Sequence, residues 1–221
     1  MSKRQAMANA RKGFGQAADT SNLQAVSDEL TLRQAKQRLD AGDLEGAELL
    51  YRQLISHGCR NHLAYCFLAL ICGKTERYQD TINLLETALK LSPQTSGIHH
   101  NMGMAYQHLK QYENAIHHYQ AELELAPEKP DSLINLGNCL IKCKQPRLAL
   151  AYYKRALPSH HNRSEVLYNI GNAQKISKSH NEAINSYHKV LELTPKHQKC
   201  LLNLGITPRL WRTGTSSSNI P

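Results

Sequence analysis

The sequence predicts an all-α protein, an α-solenoid of five helix–turn–helix units followed by part of a sixth. Three observations predict it. A pattern of small, large and proline residues returns every 34 residues without an insertion, and a fixed period of that length marks stacked repeats. Each unit carries two apolar stripes at helical spacing, such as Leu133, Leu136, Gly137 and Leu140, then Leu148, Ala149, Tyr152, Tyr153 and Ala156. The heptads that a coiled coil needs are absent.

The units run 28–61, 62–95, 96–129, 130–163 and 164–197, with a partial sixth at 198–206. Counting from the first residue of each, place 8 is small: Ala35, Ala69, Gly103, Gly137, Gly171 and Gly205. Place 20 is Ala47, Thr81, Ala115, Ala149 and Ala183, and place 24 is Tyr51, Leu85, Tyr119, Tyr153 and Tyr187. The small residue lets two helices approach closely and the large one fills the space beside it. Pro93, Pro127 and Pro195 keep the same step, with His161 where a fourth would stand. Pro130 and Pro146 suit the first turn of the helices they open, where a missing N–H is harmless. One such hairpin cannot bury its apolar face alone, so neighbours must stack around a continuous core. The third unit is the most complete. Glu122, Thr81, Arg38 and Gln174 depart from the pattern, standing where small or large apolar residues are expected.

These residues resemble tetratricopeptide repeats, over about 170 of the 221 residues. The resemblance implies a right-handed superhelix whose first helices line a concave groove. In the first helices the core stripe occupies places 4, 7, 8 and 11, and places 2, 6, 9 and 13 form the stripe that the family turns inward. Place 6 reads Arg33, Phe67, Asn101, Asn135, Asn169 and Asn203, and place 9 reads Lys36, Leu70, Met104, Asn138, Asn172 and Ile206. A carboxamide offers one acceptor and two donors, so a ladder of them can hold a peptide backbone whatever its side chains. The expected groove therefore comprises Asn101, Asn135, Asn138, Lys142, Asn169, Asn172, Lys199 and Asn203. The competing expectation is that these asparagines bond between neighbouring helices. Some domains of this family clamp a C-terminal carboxylate over three units. The comparable places here are Ile134, Asn138, Asn169, Lys199 and Asn203, and both departures remove cations. Because a carboxylate needs charge-assisted partners, that clamp is not expected.

Lys and Arg number 27 against 18 Asp and Glu, a net charge of +9. The fourth unit holds Lys142, Lys144, Arg147, Lys154, Arg155 and Arg163 against Asp131 alone. Such a cluster is a solvated face or a means of steering an acidic partner. With two Phe and one Trp, and its tyrosines mainly on core stripes, the chain offers no stacking platform for nucleic acid. No apolar run approaches the roughly 20 residues of a bilayer span. Residues 1–27 read as a basic, disordered extension, with a transit peptide as the alternative.

The six cysteines form no C-x-x-C pair and are expected as free thiols in a reducing, cytoplasmic compartment. Cys139 and Cys143 share a helical face but lack a second pair, and His99-His100, His117-His118 and His160-His161 diverge as neighbours on a helix. No metal or cofactor is expected. No nucleophile elbow, phosphate loop or zincin pattern occurs, so an enzyme is not expected. The leading expectation is a scaffold that binds an extended peptide or helix of a protein partner. The alternative is the substrate-presenting array of a larger glycosyl- or sulfotransferase, because 48–55 (Glu-Leu-Leu-Tyr-Arg-Gln-Leu-Ile) is similar to the opening of some such arrays. Pro208 interrupts the sixth unit, and 207–221 reads as a disordered tail, as in a truncated or frame-shifted member of a longer family. That predicts a fraying C-terminal end able to self-associate.

Overall fold

The computed structural model describes residues 25–205. The expectations for the basic extension before residue 25, for Ile206 and Pro208, and for the tail fall outside them. Among the described residues every regular element is a helix. The first, α1, is helical over 25–40. There follow α2 (Leu44–Ser56), α3 (His62–Lys74), α4 (Tyr78–Leu91), α5 (Ile98–His108) and α6 (Tyr112–Leu125). Next come α7 (Pro130–Lys142), α8 (Pro146–Ala156), α9 (Arg163–Ile176), α10 (His180–Leu193) and α11 (Gln198–Asn203). Odd- and even-numbered helices pair as hairpins, one hairpin per repeat. The chain divides into two compact units, one up to Ile98 and the other from His99.

Local chemistry sets the helix ends. Asp43, Asn61 and Asn162 accept from the backbone N–H groups of Gly46, Leu63 and Glu165, which supplies donors that the helix cannot satisfy itself. Pro130 and Pro146 open α7 and α8. Each first helix closes with a left-handed residue: Gly42 (φ 83°), Glu76 (61°), Lys110 (60°), Lys144 (59°) and Lys178 (64°). The N–H that follows bonds five residues back, as in Gln111 to Tyr106 (2.9 Å) and Gln145 to Leu140 (2.8 Å). This closure satisfies orphan carbonyls and turns the chain sharply into the second helix.

In the unit up to Ile98, Ala35, Leu39, Ala47, Tyr51, Leu54, Leu68 and Cys72 share one core. In the unit from His99, the largest cluster runs from α6 to α9 through Tyr119, Leu133, Leu136, Tyr153, Val166 and Ile170. A smaller one joins Ala183, Tyr187 and Val190 of α10 to Cys200 of α11. Close approach depends on the glycines at place 8. A Cβ on Gly103, Gly137 or Gly171 would lie 2.7, 2.5 or 2.6 Å from Cε1 of Tyr119, Tyr153 or Tyr187.

The four departures each find a partner. Thr81 donates to the Ala69 carbonyl (3.3 Å) and to that of Arg77 (3.1 Å). Glu122, fully buried, accepts from Lys129 Nζ (2.7 Å) and from the His100 N–H (3.3 Å). Arg38 turns outward to Asp43 (2.8 Å), and Gln174 accepts from the Ser186 hydroxyl (2.7 Å). At the break in the proline series it is His160, not His161, that is buried. It accepts from the Asn162 N–H on Nδ1 (3.1 Å) and presents Nε2 to Asp131 (3.3 Å).

Candidate peptide-binding groove

The expected groove residues divide into those bonded to the protein and those left open. Asn138 Oδ1 accepts from the Tyr153 hydroxyl (2.7 Å), and Asn172 Oδ1 from that of Tyr187 (2.8 Å). Asn172 Oδ1 also accepts from Asn203 Nδ2 (3.3 Å), and Asn203 Oδ1 accepts from Lys175 Nζ (2.9 Å). Burial pushes the Tyr119 phenol far above its ordinary pKa, the Cys139 thiol adds to this, and the neighbouring Asn135 amide works against it. Asn138, Asn172 and Asn203 thus hold inter-helix bonds through their oxygens, while the Nδ2 donors of Asn138 and Asn172 are not used in these bonds.

Asn101, Asn169, Lys142 and Lys199 have no hydrogen bond or ion pair among the described residues. Two of them meet. Asn169 and Lys199 line one cleft of about 560 Å³ between α9 and α11, with Glu165, Tyr168 and His197. Tyr168 forms an aromatic wall there, its ring 5.0 Å from that of His197 and 6.1 Å from that of Tyr187. His197 is fixed because its Nδ1 accepts the Cys200 N–H at the start of α11 (3.2 Å). An ammonium, a carboxamide and a carboxylate around an aromatic wall suit the amides and mixed side chains of an extended peptide. Asn101 stands on α5, and Lys142 is exposed at the end of α7; neither lines this cleft.

Two groups escape a reading by period. Gln107, one turn beyond Met104, accepts from the Tyr119 hydroxyl (3.0 Å) and the Cys139 thiol (3.5 Å). It does in the third repeat what asparagine does in the fourth and fifth. Tyr168 stands at place 5, off the core stripe, which was the signal that it faces a cleft. The histidines also pair differently: His99 and His118, on two helices, bring Nδ1 atoms to 3.1 Å, with Tyr106 stacked on His118. Among the described residues no three His, Cys, Asp or Glu side chains converge as a metal site. All six thiols are free, and burial pushes Cys66 and Cys200 up to about 11 and Cys139 to about 12.

A helical hairpin repeated in register, with a polar stripe along its first helices, defines a protein-interaction scaffold. Family models of the tetratricopeptide repeat match residues 62–95, 94–159 and 164–197. The chain belongs to the tetratricopeptide repeat family. No curated protein matches it by sequence. Among solved structures, it is similar to YrrB, described as a TPR protein with an unusual peptide-binding site: TM-score 0.73, 18% identity, covering 79% of this chain and 90% of that one. MamA from Desulfovibrio magneticus RS-1 gives a TM-score of 0.71 at 18% identity, covering 77% and 97%. A further MamA structure gives 0.70 at 16%, covering 88% and 98%. At these identities the likeness concerns the fold. The transferase alternative has no support in these matches. Among the described residues no helix is long and apolar enough to cross a membrane.

Proposed function

We propose that the chain is a non-catalytic, cytoplasmic scaffold that binds an extended segment of a protein partner along its first helices. The observation that carries this reading is the cleft where Asn169 and Lys199 meet beside Tyr168 with their polar ends unused. Asn101, Asn135, Asn138, Asn172 and Asn203 extend the same stripe, and Lys142 stands exposed at its edge. In Asn138 and Asn172 the oxygen serves the fold and the amide donors serve the ligand. Free thiols suit a reducing compartment. The fourth repeat's cations favour an acidic partner through long-range attraction.

The test uses the residues that the fold does not need. Asn169→Ala with Lys199→Ala should remove the partners that the wild-type chain captures from native lysate, with far-UV helicity unchanged. Capture of the same partners in the same amounts would refute the groove reading. Replacing Asn138 and Asn172 is a poorer test, because it also strands two buried tyrosine hydroxyls.

A further inference from the structure

Repeats four and five meet, on the side that carries their helix-connecting turns, over a cleft of about 430 Å³. Lys144, Arg147, Leu148, Ile176, Ser177 and Lys178 line it. Its floor breaks the repeat pattern. Leu148 and Ile176 are 54% and 52% exposed. At the place of Leu148 the other repeats carry Gly46, Asp80, Asn114 and Glu182; at the place of Ile176 they carry Asp40, Lys74, His108 and Lys142. Stacking therefore does not call for an apolar side chain at either place. Both are apolar only here, and they fall on one cleft.

The start of α8 breaks a second rule. The second helices α2, α4, α6 and α10 carry Glu45, Asp80, Glu113 and Glu182 in their first turns. An acidic residue there complements the positive end of the helix dipole. In α8 the first turn has no acidic residue, and Arg147 stands in it. A cation at that end is locally unfavourable, and a local rule broken without a structural gain points to function. Lys144, Arg147 and Lys178 form no ion pair among the described residues, and no carboxylate lines the cleft. The Ser177 hydroxyl, in the same lining, is shielded from solvent without a hydrogen-bond partner.

We propose that this cleft docks a short acidic segment of a partner protein, with large apolar side chains on Leu148 and Ile176 and carboxylates on Lys144, Arg147 and Lys178. Charge complementarity selects the occupant. Three cations and no anion surround an apolar floor, so the fit is to an acidic and apolar segment rather than to a basic one. A chain of net charge +9 is a poor occupant for its own cleft. Ile176 stands at place 13, the end of the inward stripe, but this cleft shares no residue with the one that Asn169 and Lys199 line, and the proposal goes beyond the groove reading.

The probe is a fluorescein-labelled peptide with a central Leu-Phe pair flanked on each side by three Glu, titrated against the full chain by anisotropy. It should bind, and its Lys-flanked and Ala-Ala counterparts should bind roughly tenfold more weakly or less, as loss of a buried large apolar side chain implies. Leu148→Asn with Ile176→Lys installs residues that other repeats use, so the fold should hold while affinity falls roughly tenfold. Arg147→Glu should weaken binding and leave the helix end at least as stable. Asn169→Ala with Lys199→Ala should leave affinity for this peptide within about twofold, which separates failure here from failure of the groove reading. The proposal is overturned if the acidic peptide does not bind, or if the Ala-Ala peptide binds equally well. It is also overturned if Leu148→Asn with Ile176→Lys changes nothing, or if only the groove variant loses binding. Tighter binding of a single-stranded oligonucleotide would overturn it in favour of nucleic acid. A wild-type dimer in sedimentation, dissolved by Leu148→Asn with Ile176→Lys, would overturn it in favour of a second copy.

Discussion

The two compact units hold their hairpins in different ways. From His99 onward one device recurs three times: a glycine at place 8, a tyrosine packed on its bare backbone, and a carboxamide that accepts the phenol. Gly103, Tyr119 and Gln107 form the first set, Gly137, Tyr153 and Asn138 the second, and Gly171, Tyr187 and Asn172 the third. Up to Ile98 the device is never complete. Ala35 and Tyr51 stand with Lys36, and Ala69 and Leu85 with Leu70. The Tyr51 hydroxyl is buried without a partner. Instead, Arg77 at the start of α4 reaches both oxygens of Glu48 on α2 and ties the two repeats together. The difference teaches that an asparagine on the inward stripe can serve packing, by accepting a buried phenol. Where no carboxamide is in reach, the first repeat keeps Tyr51 without the bond and the second carries Leu85 in its stead.

The largest effect should come from breaking the device at its tightest point. Gly137→Ala places a methyl group 2.5 Å from Tyr153 Cε1, and that ring, 2% exposed, has little room to move. Overpacking of this kind typically costs about 1–3 kcal/mol. The expected outcome is a lower urea midpoint, with hydrogen exchange accelerated in α7 and α8. Ala35→Gly, in the other unit, should cost only about 1 kcal/mol through helix propensity. Equal losses at the two sites would show that the glycine is not set by the tyrosine.

Acid should separate the units next. Burial holds the His118 imidazole down at about 4, and the nearby His99 and His117 add to this. Burial also lowers His99 and His100; Glu122 opposes it at both, and Lys129 reinforces it at His100. A histidine whose folded pKa is depressed takes its proton first in the unfolded chain. Its contribution is present above about 6.5 and is lost as the pH falls towards 4. Glu48 behaves likewise at lower pH: the Arg77 hydrogen bonds, then that from Arg52, hold it at about 2. Its stabilisation is full above about 4.5 and fades towards 2. Segment-resolved hydrogen exchange at stepped pH should therefore show the helices from α5 onward loosening first. Loosening that begins in α2 and α4 would contradict this assignment.

Much of this was legible in the sequence, and the reasons for the rest are physical. The 34-residue step gave the hairpins, because small and large residues at fixed places report helix contact directly. The inward bonds of Asn138 and Asn172 were legible only as the competing one of two expectations, because the same carboxamide serves a ligand or a neighbouring helix equally well. Gln107 was hidden because its longer side chain reaches the phenol from another place on the helix. The meeting of His99 with His118 was hidden too, because adjacency in sequence says nothing about which imidazole faces another helix. Leu148 and Ile176 were readable as departures at fixed places, but only the fold shows that they share a cleft.

The smallest effect tests the comparison most directly. Tyr153→Phe removes a hydroxyl that donates to Asn138 Oδ1 at 2.7 Å and should cost about 1 kcal/mol, the usual worth of such a bond. Tyr51→Phe removes a hydroxyl with no partner, so it should be neutral or should gain up to about 1 kcal/mol. The missing acceptor can also be supplied. Lys36→Asn puts at place 9 of the first repeat the residue that the fourth and fifth repeats use. It gives up an exposed pair with Asp40 (2.7 Å) and a contact 5.8 Å above the Phe67 ring, and exposed pairs contribute little. A double-mutant cycle isolates the new bond: Lys36→Asn should help in the presence of Tyr51 and not in that of Tyr51→Phe, a coupling of about 1 kcal/mol. Zero coupling would mean that the first hairpin holds its helices too differently for the carboxamide to reach the phenol. The two units would then differ in backbone geometry and not merely in one residue.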